Sequence, residues 1–506
     1  MPGYPRPRST NPIGLGDLVT AIGPDTQLSG MSSEVIVTGI THASDSVRPG
    51  DLFAALPGAN AHGSRFIPAA AAAGAVAVLT DSAGADAAAS AGLPALIVDD
   101  PRAILGDVAS AVYGHPSRRL TIIGLTGTAG KTSTAYLTES GLRAAGYTTG
   151  LIGSVETRIG DTVIDSVRTT PEATDLHAIF ATAVENGVTA LVMEVSSHAL
   201  ALGRVGGTHF AVGGFTNFGS DHLDFHRDSA DYFAAKAMLF DGRCDVEVLN
   251  ADDPALRVLD KPDTVTYSAA GAPDATWRAT GIRADGYVQH FLASGPGGIT
   301  VRAAVGLPGR HNVANALLAL ASLTSVGVEG QTAADGIAAC LGVPGRIERV
   351  AAPGPITGVV DYAHKPDAIV AALAALRDIA AGKLICVIGA GGDRDRGKRP
   401  IMGAAAAKGS DLLIVTDDNP RTEDPAVIRA EVLRGAVAAG ADAEIVEVDG
   451  RRAAITEAVR RAGPGDVIAL LGKGHERGQE ISGQIFPFDD RVELAAALTE
   501  QVGAHS

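Results

Sequence analysis

Tryptophan occurs once in this chain of 506 residues, aromatic side chains amount to 4%, and there are only three cysteines. Cys244, Cys340 and Cys386 are too scattered for a metal-binding spacing, and they do not make a disulfide scaffold. That usage points to a reducing, cytoplasmic compartment. Long hydrophobic runs are missing as well. The longest, around 68–79, is rich in alanine and too short to span a bilayer, so no integral membrane segment is expected. The opening MPGYPRPRSTNP has basic residues but no apolar core region, and no signal peptide is expected from it. Positive charge is in deficit: 41 Lys and Arg stand against 57 Asp and Glu, a net −16. Such a balance argues against nucleic acid or an anionic membrane as partner, so any recognition of phosphate must be local.

What is abundant is alanine, valine, leucine and glycine, with 46% hydrophobic residues, a composition typical of soluble α/β cores. The length suggests about three domains. A first block, to about His115, alternates short strands (75–79, 95–98) with Ala-rich helical stretches. GHPSRRL, 114–120, reads as a linker. A second block opens with a strand at 121–124, then a Gly-rich loop, a helix over 131–145, the strand-like ALVMEVSS and the helix-like SADYFAAKAMLF. A third, from about Val343, alternates strands (384–388, 412–416, 467–471) with helices such as 425–438. This alternation predicts doubly wound parallel sheets, with ligands at the carboxyl ends of strands. The expected division is 1–117, 118–343 and 344–506.

The stretch GLTGTAGKTST, 124–134, follows the apolar pair Ile122-Ile123. A strand, a Gly-rich turn and Lys-Thr at a helix start make an anion cradle, in which backbone N–H groups and the helix dipole face phosphates. Gly127, Thr128, Ala129, Gly130 and Ser133 form its wall. Lys131 reaches the terminal phosphates, and the Thr132 hydroxyl can ligate Mg²⁺. Leu125 stands where the standard phosphate-loop pattern has glycine. The loop predicts binding of ATP or GTP.

Glu194 ends the apolar strand at 190–193, which aims its carboxylate toward a metal at that loop. His222 lies in a polar turn with Asp221 and Asp224. In DSADYFAAKAMLF an Asp or Ser cap at 228–229 opens a helix on which Phe233, Lys236, Ala237 and Phe240 share a face. A lysine on that stripe must snorkel, lose its charge or be modified.

In order along the chain, TGTAGKT, MEVSSHAL (193–200), TNFGSDHLDFH (216–226), GRHNVANALLAL (309–320), PGRIE (344–348) and DYAHKPDA (361–368) resemble the Mur ligase superfamily, the ATP-dependent amide-forming enzymes of peptidoglycan assembly. The resemblance spans most of the chain and is greatest to the MurE type. It implies a three-domain α/β fold: a central P-loop ATPase-type parallel sheet, flanked by an N-terminal UDP-binding domain and a C-terminal Rossmann-like domain. It also implies ATP as substrate, an acyl-phosphate intermediate, and Mg²⁺ held through Thr132, Glu194, His222 and Lys236, with Lys131 catalytic beside the last three. Lys236 matches the family's carbamylated lysine, which would hold a second Mg²⁺. Asn312 resembles the adenine contact, and Arg346 and Asp361 the phosphate and ribose contacts. Folylpolyglutamate synthetases share the ATP domain, but their loop lies near the N-terminus, whereas here a whole block precedes it.

That leading block contains HASDSVRPGDLFAALPGANAHG (42–63), which is similar to the family's UDP-binding signature. Ala43 replaces the usual aspartate there. Ser44 and the turn Ala59, Asn60, Ala61 are the matching contacts. Thr169 and Thr170 in RTTPEA, with Ser196 and Arg204, match the residues that hold the muramoyl dipeptide of UDP-N-acetylmuramoyl-L-alanyl-D-glutamate. Leu202 departs from a frequent glutamine. TDDNPRTEDP (416–425) and LLGKGHE (470–476) follow strands of the third block. In the family, the DNPR run Asp418, Asn419, Pro420, Arg421 accompanies meso-diaminopimelate as the added amine. Physically, Arg421 can bind the distal carboxylate bidentately and Glu476 the distal ammonium, with Arg394 as a further carboxylate partner and Gly472 beside them. Two other readings stay open: a ligase that adds L-lysine or another diamine, and a nucleotide-switched binding protein that makes no acyl phosphate.

Overall fold

The structure, a computed structural model, describes residues 4–23, 26–30, 34–58 and 60–504. It divides into two compact units, one of residues 1–267 with 318–336 and the other of residues 268–317 with 337–506.

Besides a two-stranded pairing of Ile13–Gly14 with Ile36–Val37, the first unit contains strands of two larger sheets. The smaller has the spatial order Gln27–Ser29, Ala95–Ile97, Ala77–Thr80, Asp51–Ala54, Gly39–Thr41, parallel apart from the first strand at its edge. Its largest helix, Pro101–Val112, begins where Asp100 accepts the N–H groups of Arg102 and Ala103, with proline at the first helical position. In the larger sheet the strand Thr121–Thr126 lies between Ala190–Glu194 and Phe210–Phe215, all three parallel. Parallel strands covered on both faces need continuous apolar runs, and Ile122, Ile123, Leu125, Leu191, Val192 and Met193 are all fully buried. The sheet continues through Thr149–Ile152 on one side, and its antiparallel margin is the hairpin Glu156–Ile159 and Thr162–Asp165.

The second unit is built on a six-stranded sheet ordered Glu348–Arg349, Thr357–Asp361, Val467–Leu471, Leu384–Ile388, Leu412–Val415, Glu444–Glu447. All its pairings are parallel except that of the first strand. Five strands therefore release their chains at one edge, into the segments that begin at Tyr362, Gly389, Thr416, Val448 and Gly472. An antiparallel meander, Trp277–Asp285, Val288–Ser294 and Thr300–Val305, and a hairpin, Gly478–Ile481 with Gln484–Pro487, complete the unit.

The alternating pattern is realised as parallel sheets. One stretch differs. Residues 114–120, which read as a linker, include a packed turn at Pro116–Arg119. There Ser117 is fully buried and its hydroxyl accepts the His209 N–H at 3.2 Å. Turn-forming residues and charge are signs of irregular backbone, not of exposure. Among the described residues, no helix is long and apolar enough to cross a membrane.

Candidate active site

In the first unit, the loop after Thr126 turns on two left-handed glycines, Gly127 at φ 138° and Gly130 at φ 86°. A Cβ on Gly127 would come within 1.8 Å of the Thr216 hydroxyl, so only glycine fits. Leu125, at the position where standard loops have glycine, is still within the strand, which explains the shifted spacing. The next strand's end secures the loop. Ala129 N–H donates to Asn217 Oδ1 at 3.1 Å, Thr216 Oγ1 donates to Ala129 O at 2.6 Å, and Thr128 N–H donates to Asn217 O at 2.8 Å. Helix Lys131–Ala144 starts directly behind, with Thr132 and Ser133 buried on its first turn.

Lys131 Nζ curls back to donate to Gly127 O at 2.7 Å. Lys236 Nζ, from helix Ser229–Ala237, donates to the same oxygen at 2.8 Å. That helix is opened by Asp228, whose carboxylate accepts the Asp231 N–H at 2.8 Å. Tyr232, Ala235 and Lys236 are its buried positions, with Phe233 and Ala237 at the margin, and Leu239 and Phe240 are buried in the turn Met238–Phe240 that follows. Lys236 does not snorkel: it is 1% exposed, and its ammonium stands 4.6 Å from the centroid of the Tyr232 ring. The Tyr232 hydroxyl in turn lies 3.2 Å from Thr128 Oγ1.

Glu194 joins the loop to the acceptor-matching residues. It is 1% exposed and accepts Thr132 Oγ1–H at 3.0 Å and the Ser154 N–H at 2.8 Å through one oxygen. Its backbone oxygen accepts Thr170 Oγ1–H at 2.9 Å, and Thr170 Oγ1 accepts the Ser196 N–H at 3.1 Å. Ser154 Oγ meets Thr169 Oγ1 at 2.9 Å. Arg204 Nη1 donates to Thr170 O at 3.4 Å, and its Nε lies 2.8 Å from Glu172. Burial pulls the Arg204 guanidinium below its ordinary pKa, and Glu172 works against that. Thr132, Glu194, Thr169, Thr170, Ser196 and Arg204 thus form one connected network. Ser154 and Glu172, which complete it, were not singled out from the sequence.

His222 belongs to a different cluster. Its Nε2 lies 3.0 Å from Asp221, its backbone is left-handed at φ 53°, and its ring meets His198 edge-on at 4.8 Å. His198 stacks on Phe225, and burial, followed by the neighbouring His222 and His226, lowers its pKa to about 4. Among the described residues no group of three or more His, Cys, Asp or Glu is arranged to hold a metal. Mg²⁺ takes oxygen ligands, commonly one or two from protein and the rest from phosphates and water. The Thr132 and Glu194 oxygens fit that chemistry.

In the smaller sheet's surroundings, Ser44 begins the turn Ser44–Ser46, while Asn60 is exposed and Ala61 half-buried. Ala59 lies outside the described residues.

In the second unit, Asn312 is buried, donating to Pro308 O at 2.8 Å and accepting from Asn315 at 3.0 Å. Arg346 stacks 4.6 Å over the Tyr362 ring. Asp361 uses both carboxylate oxygens on backbone, accepting the Ile347 and Ala363 N–H groups at 2.7 Å each. Burial raises its pKa nonetheless.

The edge of the six-stranded sheet gathers most of the amine-site candidates. Asn419 donates to Glu476 at 2.9 Å and accepts from Lys473 Nζ at 3.1 Å. Lys473 itself is fully buried. Arg421, left-handed at φ 54°, donates from Nη1 to Gly392 O at 2.6 Å and from Nε to Glu480 at 3.1 Å. A Cβ on Gly472 would lie 2.6 Å from Asp418 Oδ2, and one on Gly392 would lie 1.9 Å from Pro420 O. The GAGG run is therefore glycine-rich because the DNPR turn packs directly on it. Arg394 is exposed, in contrast to this network. Lys473 and Glu480 were missed by sequence reasoning.

The chain matches three family models in succession: the Mur ligase family catalytic domain over residues 36–113, the Mur ligase middle domain over 125–323, and the Mur ligase glutamate ligase domain over 345–474. It is 51% identical to a Streptomyces coelicolor protein named UDP-N-acetylmuramoyl-L-alanyl-D-glutamate–2,6-diaminopimelate ligase, with 99% of each chain covered. A Corynebacterium glutamicum protein of the same name is 47% identical over 89% of each. A solved structure of a UDP-N-acetylmuramoyl-L-alanyl-D-glutamate–2,6-diaminopimelate ligase matches with a TM-score of 0.69 at 29% identity, covering 97% of this chain and 99% of that one.

Proposed function

The chain belongs to the Mur ligase family, and on that premise we propose that it joins 2,6-diaminopimelate, as the meso form, to UDP-N-acetylmuramoyl-L-alanyl-D-glutamate at the expense of ATP. It is an ATP-dependent ligase of peptidoglycan precursor synthesis, and its working compartment is the cytoplasm. Residues 1–117 take the UDP end, through Ser44 and the turn at Asn60 and Ala61. Residues 118–343 carry the ATP chemistry, with Asn312 at the adenine. Residues 344–506 supply Arg346, Asp361 and the amine subsite.

An amide does not form from a carboxylate and an amine at neutral pH until the carboxylate has a leaving group. A D-glutamyl carboxylate oxygen attacks the γ-phosphorus of ATP in line, the bond to the ADP oxygen breaks, and an acyl phosphate results. The amine nitrogen then attacks the acyl carbon, inorganic phosphate departs with the bonding pair, and the nitrogen loses a proton. The side chains contribute position and charge. Lys131 and the loop amides bear on the transferring phosphoryl group, whose charge is spread over its equatorial oxygens. Thr169, Thr170, Ser196 and Arg204 orient the acceptor. Thr132 and Glu194 would hold Mg²⁺, with His222 and the modified Lys236 as the further ligands that the family resemblance implies, and the ion would neutralise phosphate charge.

Lys236 carries a carbamate in the active enzyme. Lys236 is the buried one of the two lysines on the Gly127 carbonyl, and carbamylation turns its ammonium into an anion able to ligate a metal. The observation that supports the whole reading is Glu194, since its hydrogen bonds link the phosphate loop through Thr132 to the acceptor stretch through Thr170.

The test is a reaction with ATP, the UDP-muramoyl dipeptide and meso-diaminopimelate. The expected result is phosphate release that needs both other substrates, and a product heavier by diaminopimelate less one water. Nucleotide binding that never yields this product would favour a nucleotide-switched binding protein.

A further inference from the structure

Arg421 is held from two sides by one short piece of hairpin. Its N–H donates to Glu480 O at 3.0 Å, and its own carbonyl accepts the Ser482 N–H at 2.6 Å. Glu480 then reaches back with its side chain to the Arg421 Nε–H. The Glu480 N–H is in turn anchored on Asn419 Oδ1 at 3.0 Å. With Nη1 tied to Gly392 O, two corners of the guanidinium are fixed. Five N–H groups lie in the plane of a guanidinium, so fixing Nε and one Nη1 hydrogen sets the direction in which the outer edge is offered. Gly391 leaves room for this pose, because a Cβ there would come within 3.1 Å of Arg421 Nη1.

We infer that Glu480 is a positioning and specificity-determining residue of the amine subsite: it aims the Arg421 fork at the distal carboxylate of the incoming diamino acid. This rests on the proposed function. The magnitude of the pair itself supports a role in recognition over one in stability. Its side chains are 22% and 39% exposed, and ion pairs of that kind contribute little to folding. Aim matters far more, since a small misplacement of a binding fork is felt strongly in substrate affinity and rate. A side chain ending in a bare ammonium, as in lysine, offers nothing to the outer edge of Arg421, and the carboxylate already on Nε does not replace the missing contact.

The experiment compares Glu480→Ala and Glu480→Gln with wild type, using meso-diaminopimelate, ATP and the UDP-muramoyl dipeptide. Glu480→Ala is expected to raise KM for diaminopimelate about ten-fold or more, with kcat changed by less than about three-fold. KM for ATP and the UDP substrate, and the melting temperature, stay at wild-type values. Glu480→Gln retains an oxygen acceptor for the Nε–H and is expected to stay within about three-fold of wild type. An unchanged diaminopimelate KM in Glu480→Ala overturns the inference, and so does a glutamine variant as impaired as the alanine one, since Glu480 would then act through charge. Wild type itself failing to use diaminopimelate refutes the proposed function instead, which separates the two failures.

Discussion

The ammonium groups of Lys131 and Lys236 donate to the same acceptor, the carbonyl oxygen of Gly127, at 2.7 and 2.8 Å. One lysine comes from the helix behind the phosphate loop and the other from a helix about a hundred residues further on. The shared carbonyl brings both side chains to the phosphate loop.

Lys131→Ala is expected to reduce phosphate release by at least about two orders of magnitude, because its charge bears on the transferring group. Lys131 is half-buried at the start of its helix and fills no core position, so thermal melting should be unchanged. Near-normal turnover with normal melting would remove Lys131 from the chemistry.

Lys236→Ala is expected to be nearly inactive and to regain activity with short carboxylic acids, which would stand in for the proposed carbamate. Carbon-13 bicarbonate should give active wild type a carbamate signal that this variant lacks. Full activity in wild type shown to carry only a free amine there would contradict the modification.

Glu194→Gln tests the junction. The amide keeps an oxygen for Thr132 and for the Ser154 N–H, so the loss of stability should be no more than about 1–3 kcal/mol. The negative charge goes, and with it the expected oxygen ligand for Mg²⁺. Phosphate release should fall by at least about two orders of magnitude at standard Mg²⁺ and recover in part as Mg²⁺ rises. A variant with wild-type rate and metal dependence would dissociate Glu194 from catalysis.

His177 supplies a pH test of the fold. Burial lowers its pKa to about 4, with its Nε2 at 2.9 Å from Gly206 O and no partner for Nδ1. The folded-state value is below the unfolded one, so this histidine's stabilising contribution is present above about pH 6.5 and is lost as pH falls toward 4. From pH 7 to pH 5 the loss should be about 2 kcal/mol. Denaturant melts at the two pH values should show it, and His177→Gln should show less of it. Equal acid sensitivity in the variant would assign the effect to other groups.

The phosphate loop could be read in the sequence because its determinants are local: Gly127, Gly130, Lys131 and Thr132 lie within six residues, and the apolar strand before them fixes their direction. Glu194 was legible for the same reason, as the first charge after a buried run. Ser154, Glu172 and Glu480 were not. Each acts on a partner that the fold brings to it, Glu194, Arg204 and Arg421, and even Glu172, which stands in RTTPEA, shows nothing of that partner locally. The glycines of GAGG, 389–392, form no informative pattern by themselves, and answer to the packing of Pro420 and Arg421. Asp361 was read as a ribose contact from its motif, whereas no local pattern discloses that its two oxygens hold the amides of Ile347 and Ala363.

The choice of amine is the central claim, and one comparison tests it most directly: kcat/KM for meso-diaminopimelate against L-lysine, in wild type and in Arg421→Ala. The two amines differ by one distal carboxylate. A site built to pair it rejects the amine that lacks it by roughly three orders of magnitude or more. The account predicts that preference in wild type, and its collapse in Arg421→Ala through loss of activity with diaminopimelate while KM for ATP and the UDP substrate holds. Equal use of lysine by wild type, or an undiminished preference in Arg421→Ala, would contradict it.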